Sequence, residues 1–130
     1  MLGFRYDSFH SSQFHIKAIK TSRPLVPEKR HEFVEIPFKS GSVLLPDNSS
    51  PDITIPIQCQ LELPKNISIH DVGRSIRTWL NKSDWKPLIF DDDPGYYYQS
   101  ICTSAITVED LKSGTFTIEF RCNPDQVAVR

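Results

Sequence analysis

The chain has 130 residues, 38% of them hydrophobic, with ten prolines, one methionine and three cysteines. Fifteen basic and sixteen acidic side chains leave a net charge of −1, and the basic ones are scattered (Arg23, Lys29, Arg30, Arg74, Arg77, Lys82) rather than gathered into a phosphate-neutralising stripe. This excludes a dedicated nucleic-acid reader, and no stretch approaches the ~20 apolar residues of a membrane span.

The length predicts one domain, residues 1–130, large enough to build a core without disulfide staples. Short strands and many turns are expected from the prolines. Cys59, Cys102 and Cys122 are far apart, form no C-x-x-C pair, and do not group with His10, His15, His31 or His70 at metal spacing. Buried free thiols are expected, with neither metal nor cofactor. The start, "MLGFRYDSFHSS", carries Arg5 and Asp7 and lacks the apolar run of a signal peptide. It reads as a protein made in a reducing cytoplasm.

In chain order, Leu2–Asp7 and Gln13–Ile19 read as short strands, and "EFVEIPFK" alternates through Val34, Ile36 and Phe38. Residues 39–52, "KSGSVLLPDNSSPD", carry no clear pattern, which in a compact domain marks a functional or disordered loop. Val43, Leu44 and Leu45 in its middle fit either a projecting hairpin tip docked on a neighbour or a folded-back loop. The clearest strand is "ITIPIQCQLEL", with Ile53, Ile55, Ile57, Cys59, Leu61 and Leu63 on one face. Pro56 cannot donate a ladder hydrogen bond, so this strand should be a sheet edge or a bulge, at least locally.

"SIHDVGRSIRTWLNK" switches to a helical period. Ile69, Val72, Ile76, Trp79 and Leu80 share one stripe, and Val72, Ile76, Trp79 and Leu80 should pack the helix on a sheet. Ser68 is the expected N-cap, with Asp71 in the capping-box position. Gly73 weakens the first turns by roughly 1 kcal/mol relative to Ala. Pro87–Phe90 and Tyr96–Ile106 read as strands, joined by a turn over Asp92, Asp93, Pro94 and Gly95, with φ > 0 available at Gly95. "GTFTIEFRC" closes the series with Phe116, Ile118, Phe120 and Cys122 on one face. About seven strands with one helix is the pattern of a mainly β protein, a sandwich or barrel.

The chemical motifs are sparse. Asp91, Asp92 and Asp93 lack the alternating ligand spacing of a calcium loop, and adjacent carboxylates diverge rather than face each other across a substrate. They read as solvated turn residues. No G-x-S-x-G elbow and no Gly-rich phosphate cradle occurs. No catalytic function is expected.

Taken together, several segments resemble the N-terminal domain of the phage distal tail protein (Dit) family of long-tailed phages infecting Gram-positive bacteria. They are the near-terminal Gly3-Phe4, "SSQFHIKAI", "RPLVPEKRHEFVEIPFKSG", "IRTWL", "LIFDDDPGYYYQS" and "FTIEFRCNP", in order across roughly residues 2 to 125. Phe38-Lys39-Ser40-Gly41 departs from the Gly-Arg-Asp-Gly that family members often carry after Ile-Pro. The resemblance implies a tail-tube-like β-sandwich with one packed helix and a projecting hairpin. It also implies a hexameric ring in the virion, joining the tail tube to a tail-associated fibre or lysin protein. Such proteins usually continue into a galectin-like domain that the 130 residues do not include, so the chain is expected to be either a piece of one or a short member. The ring contacts are expected at strand edges, at Gly41, Val43, Leu44 and Leu45, and at Tyr97. Two other functions remain open on sequence: a carbohydrate- or receptor-binding sandwich with Trp85, Tyr97 or Tyr98 as stacking platform, and a metal-dependent hydrolase at Asp91–Asp93.

Overall fold

The computed structural model describes residues 3–23 and 51–129 in full and, between them, the backbone of two short strands. In chain order it contains strands β1 (Phe4–Tyr6) and β2 (Phe9–His10), a 3-10 helix (Ser11–Phe14), β3 (Ile16–Thr21), β4 (Glu32–Glu35), β5 (Ser42–Leu45) and β6 (Ile53–Leu61). Helix α1 (Ile69–Leu80), β7 (Lys86–Phe90), β8 (Asp93–Cys102), helix α2 (Val108–Ser113), β9 (Thr115–Cys122) and β10 (Val127–Ala128) complete it. The main sheet runs β2-β1-β7-β8-β9-β6-β3, with β10 also paired to β8, while β4 and β5 form a separate hairpin.

The main sheet folds over on itself. Tyr6 on β1 and Phe120 on β9 are three strands apart in the sheet, roughly 14 Å if it were flat, yet their ring centroids lie 4.9 Å apart. The Tyr6 hydroxyl also donates to the carbonyl of Ser100, on β8, at 3.2 Å. Two inner faces thus share one core, as in a β-sandwich. Its centre is the register of β6 against β9, where Ile55 faces Phe120, Ile57 faces Ile118 and Cys59 faces Phe116. All six are buried. The alternation in sequence is therefore the alternation of the fold.

β6 is an interior strand, between β9 and β3, and accepts Pro56 for a local reason. The Pro56 carbonyl accepts from the Thr21 hydroxyl at 3.0 Å, so its nitrogen faces the β3 side too. The β3 ladder ends at Thr21–Ile57, and no hydrogen bond is lost there.

Helix α1 starts at Ser68, whose side chain accepts from the His70 amide at 3.2 Å. Asp71 does not turn back to close a capping box; it pairs with Arg74 at 2.9 Å. Val72, Ile76, Trp79 and Leu80 are the buried residues of this helix. Trp79 is its anchor. The indole lies between Phe14 (centroids 4.4 Å apart, planes 10°) and Phe4 (5.5 Å, 19°), and its N–H donates to the Tyr6 carbonyl at 2.8 Å. A buried tryptophan needs such a partner for its one donor.

Three further features differ from the sequence expectation. The first is the 3-10 helix, which delivers Phe14 to Trp79. The second is α2, which carries a complete Thr107–Asp110 capping box and ends at Gly114 with φ 85°. The third is the strand Asp93–Cys102, which starts three residues before the expected Tyr96 and stops four before Ile106.

Candidate functional site

The turn after β7 is the most chemically loaded point of the described surface. It comprises Asp91 and Asp92 alone, because Phe90 already pairs with Asp93. Asp93, Pro94 and Gly95 belong to β8, which corrects the expected turn over Asp92–Gly95. Gly95 does not adopt a positive φ; its carbonyl accepts from the Val129 amide at 2.9 Å, in ladder fashion.

The three aspartates reach different partners. Asp91 accepts from His10 Nε2, with both carboxylate oxygens at 2.9 Å. The other ring nitrogen, Nδ1, accepts the Ser12 amide at 3.1 Å, which fixes the tautomer with its hydrogen on Nε2. Asp92 pairs with Arg23 at 2.6 Å, and the Arg23 guanidinium lies over the Phe90 ring, 4.2 Å from its centroid. Asp93 meets the Gln126 amide at 3.4 Å. Among the described residues no cluster of three or more His, Cys, Asp or Glu side chains has the arrangement of a metal site. The expectation of merely solvated aspartates is corrected: Asp91 and Asp92 clip the turn to the N-terminal segment. Sequence reasoning missed His10 and Arg23 because they lie 81 and 69 residues away, and nothing local signals such a pairing.

The tyrosines separate by depth. Tyr98 is buried edge-on to Phe90 (6.3 Å, 82°), and burial pushes its phenol above the usual 10.0. Tyr97 is half-buried, facing Val127, and Tyr96 is exposed beside Ala128. Trp85 is also exposed, but it adjoins Lys86, which pairs with Ser100, three residues along β8 from Tyr97. Of the three rings offered as a stacking platform, Trp85 is exposed, Tyr97 half-buried and Tyr98 buried. Tyr96 and Val127 are both exposed where β10 extends the sheet, and the register puts them on opposite faces.

Of the expected contact residues, Val43, Leu44 and Leu45 form β5, paired with Val34, Phe33 and Glu32 of β4. Part of residues 39–52 is thus one strand of a hairpin rather than an unpatterned loop. Gly41, and the side chains of Val43, Leu44 and Leu45, lie outside the described residues.

Gly3 explains the near-terminal Gly-Phe pair. A β-carbon there would lie 2.6 Å from Ser11 Oγ and 2.9 Å from His10 Cε1, so any larger residue would force Ser11 and His10 to shift. Ser11, fully buried, accepts the Phe4 amide at 3.3 Å, and the Gly3 carbonyl accepts the Asp91 amide at 3.2 Å. The start of the chain, the 3-10 helix and the aspartate turn are one hydrogen-bonded unit.

No curated protein matches the chain. Among solved structures, it is similar to the Dit protein of phage SPP1, described as a paradigm of the hub adsorption apparatus in phages infecting Gram-positive bacteria. The TM-score is 0.71 over 99% of this chain at 14% identity, and the chain spans 52% of that protein's length. At that identity the likeness is one of fold. The sequence matches the family described as the phage tail protein RIFT-related domain over residues 9–122, from β2 through the end of β9. The chain belongs to that family of phage tail components.

Proposed function

We propose that the chain is the ring-forming domain of a distal tail protein. In this reading it assembles as a hexamer in the virion, after synthesis in the bacterial cytoplasm. It joins the tail tube to tail-tip or baseplate proteins such as a tail-associated fibre or lysin protein, and it has no catalytic role. The observation that carries the proposal is the fold likeness to SPP1 Dit along 99% of the chain. The absence of a basic stripe suits a lumen that lets DNA pass without reading it.

A closed ring needs two different patches on each subunit. We assign one to the β4–β5 hairpin with Gly41, Val43, Leu44 and Leu45, and the other to the β8–β10 end around Tyr97. The single domain of residues 1–130 is the ring-forming part, with a galectin-like domain expected elsewhere in proteins of this type. Size-exclusion chromatography with light scattering, backed by negative-stain images, tests the reading. Six-fold particles are expected; a monomer at high concentration overturns it.

A further inference from the structure

The cleft between α1 and the segment from Cys102 to Leu111 takes no part in the features above. It encloses about 500 Å3. The two helices approach closely at Gly73, where a β-carbon would sit 3.4 Å from Leu111 Cδ1, and the cleft runs along α1 to Asn81. Its floor is apolar, made by Leu80, Leu111 and the half-buried Ile106. Burial raises the Cys102 thiol above its ordinary 9.0, so the floor carries no charge at neutral pH.

The rim is basic. His70, Arg74 and Arg77 line it, and among the described residues no acidic side chain does. Arg74 meets Asp71 in an exposed pair, weak by nature, and Arg77 forms no ion pair with a described residue. In a chain of net charge −1 this is a local inversion of sign.

We propose that this cleft receives an acidic peptide segment of another protein. An apolar side chain enters between α1 and α2, and flanking carboxylates meet Arg77 and Arg74. A nucleic-acid strand would satisfy the arginines but leave the apolar floor unfilled, and a neutral apolar segment would bury the floor without answering the charge. Charge complementarity at the rim therefore selects the partner. The inference goes beyond the ring reading and needs only one copy of the chain, so either can fail alone.

The test is a titration of the 15N-labelled chain with a blocked eight-residue peptide of alternating leucine and glutamate, followed by amide shifts. Shifts confined to α1, α2 and residues 102–107 are expected. Arg77→Glu should weaken binding by about tenfold, and glutamine in place of glutamate by a similar factor. Arg77 is exposed, so the melting temperature of the variant should match the parent and separate lost binding from lost fold. Shifts elsewhere, or equal affinity for the two peptides, would overturn the proposal. So would concentration-dependent shifts of the same amides without peptide, which would make the occupant a second copy.

Discussion

Trp79 and Asp92 both hold a distant segment against the sheet, and they do so by opposite means. Trp79 is 2% exposed, stacked between Phe4 and Phe14, with its one donor satisfied. Asp92 is paired at the surface with Arg23, the two side chains 43% and 22% exposed. Burial of a large ring is worth several kcal/mol and is insensitive to salt, whereas a surface pair is worth at most about 1 and is screened. The helix side therefore sets stability, while the aspartate turn only places a tip.

The sharpest way to break this contrast is at the ring stack. Trp79→Ala should lower stability by ~3–5 kcal/mol through cavity formation and loss of both stacks. An unfolding free energy from denaturant melts lowered by less than about 1 kcal/mol would remove the distinction between the two regions. Next comes Gly3→Ala, which forces a β-carbon to within 2.6 Å of the buried Ser11 Oγ. Overpacking of that kind costs ~1–3 kcal/mol, and it should also loosen the 3-10 helix that presents Phe14. A thermal melt within experimental error of the parent would show that the N-terminal approach is slack.

The buried thiols extend the comparison to pH. Burial pushes Cys59 up to about 12 and Cys122 up to about 11, from an ordinary 9.0. Between the ordinary and the folded values the native chain holds protons that the unfolded chain has released. Stability is therefore fully present below about pH 9 and is lost as the pH rises toward 11 and 12. Unfolding midpoints taken from pH 7 upward should stay level to about pH 8 and then fall. Cys59→Ala should flatten part of that fall, and an unchanged alkaline slope in the variant would deny the thiol its part.

The same contrast decides how much could be read from the sequence. Period-two alternation in Ile53–Leu61 and Thr115–Cys122, and the stripe Val72, Ile76, Trp79 and Leu80, are local patterns that burial enforces residue by residue. The β-rich class followed from them, and the resemblance supplied the tail family. Helix α2 was overlooked although Thr107, Asp110 and Gly114 spell its two ends, because six residues are too few to display a helical period. The turn slid by a residue pair because Pro94 and Gly95 look like turn formers, while the register of Phe90 with Asp93 closes the hairpin first. The partners of Asp91 and Asp92 come from the far end of the chain, and no local rule encodes them.

The smallest effects, at the turn, test whether the three aspartates differ as their partners do. Asp92→Asn should cost the most, because it leaves Arg23 stacked on Phe90 without its carboxylate; even so, partial exposure holds the loss to about 0.5–1 kcal/mol. Asp91→Asn keeps an oxygen that can still accept from His10 Nε2 and should cost less than about 0.5 kcal/mol. Asp93→Asn gives up only the long contact to Gln126 and should be silent. In a double-mutant cycle with Arg23→Gln, the coupling should appear for Asp92 alone and shrink in high salt. Equal coupling to all three aspartates would mean that the turn acts as a diffuse negative patch rather than as separate clips.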